Sequence, residues 1–194
     1  MGITTTLPAA SGEQSVDDVD AQLVRRCLEG DARALQQLYE QNVAAVYRMV
    51  RLNGGIGASA DDLVQDTFVR ALELLPRFRG DARLTVWMRG IALNLCRTQR
   101  RKAWRRTLLR RRVRAPENAS RAAESECRVE LQQLLMQLER LPNAEREAFV
   151  LCRIEQLSLA DAAAITGVSK STLGDRVQRA DAKLRIRLEG GATS

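Results

Sequence analysis

Apolar residues recur along most of the chain at intervals of three and four, the spacing that gathers side chains on one face of an α-helix. A stripe through Val19, Leu23, Arg26 and Cys27 predicts a first helix from about Asp17 to Glu29, with Gly30 and Asp31 as its stop and the next N-cap. Leu35, Leu38, Tyr39, Ala45, Val46, Met49, Val50 and Leu52 predict a second helix, broken by Asn53, Gly54, Gly55 and Gly57. Ser59 is placed to cap a third, whose first turn carries Asp61 and Asp62 where the helix dipole favours acids. Its buried face is expected to be Leu63, Val64, Thr67, Phe68, Ala71, Leu72 and Leu75. Pro76 ends it, and Arg77 to Leu84 (RFRGDARL) has the Gly-Asp punctuation of a loop. From about Thr85, Val86, Trp87, Ile91, Ala92 and Leu95 restart a long helix that turns basic.

Between Ala115 and about Glu126 the periodicity lapses into Ala, Ser, Glu, Asn and one Pro, which suits an exposed linker. It resumes with Val129, Leu131, Leu134, Leu135, Leu138 and Leu141. Pro142 starts a helix through Phe149, Val150, Cys152 and Ile154, and Ser158 can cap another spanning Leu159 to Thr166. Gly167 breaks that helix, and Ser169 can cap a last one from Lys170 to about Leu188. Small Ala163 lets two helices approach, Gly167 permits a tight turn, and Val168, Leu173 and Val177 fill the angle, as in a helix-turn-helix. The predicted architecture is all-α, with small helical domains over 17–114 and 127–189 joined by a flexible linker over 115–126.

Composition agrees with helices: the chain is rich in Ala, Leu, Arg, Glu and Gln, with only 4% aromatic residues. Its 194 residues, 45% of them hydrophobic, can bury one ordinary core or two small ones. Lysine and arginine number 31 against 24 acids, a formal charge of +7, which favours a polyanionic partner. The charge is concentrated: Arg97, Arg100, Arg101, Lys102, Arg105, Arg106, Arg110, Arg111, Arg112 and Arg114 have no acid among them. A solvated face is the bland reading of such a run, but these cations repel one another unless something anionic lies nearby, which points to nucleic acid. A second candidate surface is the start of the last helix, whose Lys170, Ser171, Thr172, Asp175, Arg176 and Arg179 could enter a major groove.

The same residues exclude much chemistry. Cys27, Cys96, Cys127 and Cys152 are far apart and the chain has no histidine, so neither a zinc-ligand cluster nor a Cys–His pair can be built. Each cysteine reads as a small buried residue. No phosphate-cradling glycine loop, catalytic carboxylate pair or nucleophile–base pair stands out, so no catalytic residue, metal or cofactor is expected. Met1 to Ser15 lacks the pattern of a secretory signal and no stretch is apolar enough to span a bilayer. The expectation is a cytoplasmic protein without direct membrane insertion.

Four stretches resemble the extracytoplasmic-function sigma factors: Leu28 to Leu38, Ala60 to Leu72, Phe78 to Leu95 and Leu141 to Leu188. The resemblance implies a factor that directs core RNA polymerase to promoters, under control of an anti-sigma protein, and not an enzyme. It implies that the helix bearing Asp62, Gln65, Asp66 and Arg70 docks on polymerase. It further implies that Arg79, Asp81, Arg83, Arg89 and Asn94 belong to the region that opens and reads the minus-ten element, with Arg97, Arg100 and Arg101 on phosphates. Trp87 shares the face of Ile91 and Leu95 and reads as core, whereas Trp104, among Lys102, Arg105 and Arg106, is the better exposed aromatic. Lys170, Ser171, Thr172, Arg176 and Arg179 then fall to the minus-thirty-five element.

The chain departs from the family pattern at Thr166, where leucine is typical, and at Gly174 and Asp175, where Lys and Ser are common. Gly174 should cost its helix about 1 kcal/mol relative to alanine, and Asp175 would repel a phosphate unless it reads a cytosine amino group. Altered minus-thirty-five recognition is the expectation. The competing reading is a stand-alone helix-turn-helix regulator that uses its N-terminal helices for dimerisation or ligand sensing.

Overall fold

The computed structural model describes the backbone of residues 16–54, 59–110 and 135–191, and every regular element among them is helical. Helix α1 (Val16–Leu28) turns into α2 (Ala32–Asn53) through Gly30, whose φ of 81° is in the left-handed region that glycine tolerates. Asp31 caps α2 as expected, accepting from the N–H groups of Arg33 (2.9 Å) and Ala34 (3.3 Å), while the Arg26 guanidinium donates to its other oxygen at 2.6 Å. Arg26 first, and then these N–H donors, hold the Asp31 carboxyl below its ordinary range. Ser59 occupies the N-cap of α3 (Ala60–Leu74) with extended backbone, but its side chain makes no capping bond. A 3₁₀ turn over Leu75–Arg77, with Pro76 inside it, stops α3, and Gly80 (φ 77°) shapes the loop before α4 (Leu84–Arg110).

The buried faces are narrower than periodicity alone predicts. Val19, Tyr39 and Leu72, all expected to be inside, are 42%, 48% and 44% exposed. On α1 the buried set is Leu23, Val24 and Cys27, and on α3 it is Leu63, Val64, Thr67 and Ala71. Periodicity identifies a stripe, but its width depends on how many neighbours the helix has, and α3 packs chiefly against α2 and α4.

In the C-terminal part, a helical stretch over 135–139 precedes α5 (Asn143–Phe149), which continues into a π-helical turn, Val150–Ile154. Helix α6 (Leu159–Thr166) is capped by Ser158, whose hydroxyl accepts from the Asp161 N–H at 3.1 Å, and it ends at Gly167 (φ 74°). Ser169 caps α7 (Lys170–Gly191) by accepting from the Thr172 N–H at 3.2 Å. Ala163, Leu173 and Val177 are buried in the angle between α6 and α7, the helix-turn-helix packing read from the sequence. Thr166 occupies the leucine position by turning its hydroxyl back on the Ala162 carbonyl at 2.7 Å. The linker over 115–126, with Cys127, Val129, Leu131, Leu134, Arg111, Arg112 and Arg114, lies outside the described residues.

The two halves share one core cluster, beside a second confined to the N-terminal half and a third whose buried residues all belong to the C-terminal half. One cluster joins Val46, Met49, Val50, Leu63, Met88, Ala92 and Leu93 of the N-terminal half to Ala148, Val150, Leu151, Ala162, Leu173 and Val177 of the C-terminal half. Ile165 of α6 sits over Gly90 of α4, where a Cβ would lie 3.8 Å from it. Cys96 is fully buried at this junction, and burial pushes its thiol up to about 11, so it stays protonated and fills space. No described helix is long and apolar enough to cross a membrane.

Gly174 sits in α7 with nothing within 4 Å of where a Cβ would be. Gly174→Ala is therefore expected to raise stability by about 1 kcal/mol, read as a higher thermal midpoint. A lower midpoint would show that the glycine serves packing after all.

Candidate nucleic-acid interface

The loop between the 3₁₀ turn and α4 carries Arg79, Asp81 and Arg83, all exposed. Two contacts hold it. The ring of Phe78 packs edge-on against Trp87 with centroids 5.3 Å apart, which gives Trp87 the structural role expected of it. The Asp20 carboxylate of α1 accepts from the Leu84 N–H at 2.7 Å, capping α4 from a residue 64 positions away. Sequence reasoning missed Asp20, because a cap supplied from another helix leaves no local signature.

From this loop α4 runs without a break through Asn94, Arg97, Arg100, Arg101 and Trp104. Asn94 and Arg101 are exposed and Trp104 is 65% exposed, as an aromatic offered to a partner would be. Arg89, Arg97 and Arg100 differ: their side chains keep only 15%, 23% and 12% exposure, because acids from the C-terminal half engage them. Glu147 of α5 accepts from Arg97 at 2.7 Å and also from Arg100, which donates as well to the Asn53 carbonyl. Glu155, at the end of the π turn, accepts from Arg89 at 3.0 Å and from Arg48 at 2.8 Å and 3.2 Å. The Glu155 hydrogen bond holds the Arg48 guanidinium above its ordinary value. Two cations of the basic run, Arg97 and Arg100, thus have a counter-charge, Glu147, which lies 50 and 47 positions from them.

On α3, Asp62, Gln65, Asp66 and Arg70 are all exposed, and Arg70 pairs with Glu73 at 2.7 Å. Val69, 51% exposed, and Leu72 lie among them, so this face mixes charge with uncovered apolar surface. At the helix-turn-helix, Lys170, Ser171, Asp175 and Arg179 are exposed and Thr172 and Arg176 half-buried. Glu145 braces α7 from α5 by accepting from Lys183 at 2.7 Å, with Arg179 3.8 Å away. Arg176 shares a cleft of about 570 Å³ with Arg97, Arg100, Arg101, Trp104, Asn143 and Glu147. Among the described residues no group of three or more His, Cys, Asp or Glu side chains is placed to hold a metal ion.

Residues 38–106 match the family Sigma-70 region 2, and residues 131–184 match Sigma-70, region 4. SigM of Mycobacterium tuberculosis, an ECF RNA polymerase sigma factor, is 32% identical over 170 residues, which cover 85% of this chain and 82% of the relative. The chain belongs to the sigma-70 family, among the extracytoplasmic-function sigma factors. The structure of CnrH in complex with the cytosolic domain of CnrY superposes with a TM-score of 0.69 at 30% identity, covering 91% of this chain and all of that one. That of the sigma factor RpoE in complex with the anti-sigma factor NepR, from Bartonella quintana, gives 0.68 at 29% identity over 79% of this chain and 96% of that one. Matches to both region 2 and region 4 favour a sigma factor over a stand-alone regulator. They place the loop, α4 and α3 in region 2 and the helix-turn-helix in region 4.

Proposed function

We propose that this chain is a cytoplasmic, non-enzymatic initiation factor that brings core RNA polymerase to promoters, with region 2 at residues 17–114 and region 4 at 127–189. The exposed face of α3 (Asp62, Gln65, Asp66, Arg70) is its polymerase contact. The loop residues Arg79, Asp81 and Arg83, with Arg89 and Asn94, read the opened minus-ten element, and Arg97, Arg100 and Arg101 hold its backbone. Lys170, Ser171, Thr172, Arg176 and Arg179 approach the minus-thirty-five duplex, with Asp175 biasing the choice of base. The carrying observation is the continuity of α4, which ties the loop to a row of arginines along one helix. Since RpoE of Bartonella quintana has been captured with an anti-sigma factor, a protein of that class is the proposed regulator of this chain as well.

The test is transcription from a linear promoter library by purified core polymerase, with the initiated transcripts sequenced. Specific starts should appear only when this chain is added. Their absence across a range of salt concentrations would overturn the reading.

A further inference from the structure

We infer that the cleft between α4, α5 and α7 is a binding site for a free nucleoside polyphosphate, with Trp104 as the platform for the base and Arg97, Arg100, Arg101 and Arg176 as the clamp on the phosphates. The inference goes beyond the promoter reading and needs no part of it, because it rests on the shape and charge of the cleft.

Three observations carry it. First, an aromatic stands among cations at helical spacing. Arg97, Arg100, Arg101 and Trp104 recur every three or four residues, so they share one side of α4, and Arg176 of α7 lines the same cleft. Trp104 is 65% exposed, and among the described residues no other aromatic ring packs on it. An uncovered indole in a wall of arginines offers its face to any planar base.

Second, the cleft is short of negative charge. Four arginines line it against one carboxylate, Glu147, which Arg97 and Arg100 already share. Arg101 and Arg176 pair with no acid among the described residues. A fifth cation, Arg146, donates to Asn143 of the cleft wall at 2.7 Å, is 5% exposed, and keeps its Nε without a hydrogen-bond partner among the described residues. Burial first, and then Arg100, push its guanidinium below its ordinary value. Guanidinium forks fit phosphate as well as carboxylate, so phosphates supply the missing charge. The cations stand on more than one helix, which suits a chain of phosphates over a single one.

Third, the size fits. The cleft holds about 570 Å³, inside the range of about 300–1,000 Å³ typical of small-molecule sites. That is room for a base, a sugar and its phosphates together, whereas inorganic phosphate would leave the indole unused.

The test is calorimetric titration of the full chain, without polymerase, using ATP, inorganic tripolyphosphate and adenosine as probes. ATP should bind saturably and roughly tenfold or more tighter than either fragment, since only ATP engages both platform and clamp. Trp104→Leu should weaken ATP by about tenfold and leave tripolyphosphate within about twofold. Arg176→Gln should weaken both on the order of tenfold. Arg33→Gln, which removes an exposed charge at the start of α2, should alter neither by more than about twofold. Tryptophan fluorescence of the wild-type chain needs no variant: ATP should quench it and tripolyphosphate should not.

No saturable binding of ATP would overturn the inference, as would ATP and tripolyphosphate binding alike with no effect of Trp104→Leu. So would ATP binding that Arg176→Gln leaves unchanged, which puts the nucleotide elsewhere. Transcription with core polymerase keeps the two readings apart. Specific starts without ATP binding would sink the nucleotide site and leave the promoter role standing, and ATP binding without specific starts would do the reverse.

Discussion

Leu151→Ala is expected to lower the stability of the whole chain by about 2–5 kcal/mol, and the loss should be visible from the half that does not contain the mutation. Leu151 is fully buried in the cluster that also holds Met49, Leu63 and Met88, so its truncation leaves a void facing α2 to α4 as well as α5 to α7. Both tryptophans, Trp87 and Trp104, lie in the N-terminal half, so their fluorescence reports that half alone. With a shared core, the fluorescence transition of the variant in urea moves to lower denaturant together with the circular-dichroism transition. With independent halves, fluorescence would keep the wild-type midpoint while circular dichroism split into two steps. The second result would refute the joined core.

The joined core also marks where the sequence stops being informative. Helix boundaries at Gly30–Asp31, Ser158, Gly167 and Ser169 were legible because a cap or a left-handed turn is built by residues within three or four positions of one another. The helix-turn-helix angle was legible for the same reason, since Ala163, Leu173 and Val177 are small or apolar at fixed local offsets. Exposure of Leu72 was not, because a helix facing two neighbours and one facing three carry the same three-and-four spacing. The partners of Arg89, Arg97 and Arg100 were equally hidden. Glu147 and Glu155 sit in an ordinary amphipathic stretch, and only the folded chain brings them across 47 to 66 positions to the basic helix. The sequence did pose the question correctly, because ten cations in a row without an acid require an anion from elsewhere. It could not say that the same protein supplies some of it.

Asp66→Lys combined with Leu72→Lys is expected to weaken association with core RNA polymerase by about 2 kcal/mol or more, on the order of thirtyfold in Kd. The argument starts from the uncovered side of α3. Asp62, Gln65, Asp66, Val69 and Leu72 recur there at helical spacing, and all are exposed, so the helix turns apolar area and negative charge outward together. Uncovered apolar side chains beside charge are the composition of a docking surface, in which a few central residues carry most of the affinity and the charges around them set the encounter rate. Because neither residue is in a core cluster, the double variant should keep its thermal midpoint, surface changes of this kind being worth about 0.5 kcal/mol or less each. Its salt-sensitive binding to DNA should also survive, since α4 and the helix-turn-helix are untouched. Titration of labelled chain with core polymerase measures the loss directly, and the rate of association should fall more steeply at low salt than at high salt, where the Asp66 charge is screened. Undiminished affinity in a folded double variant would move the polymerase contact off this face of α3.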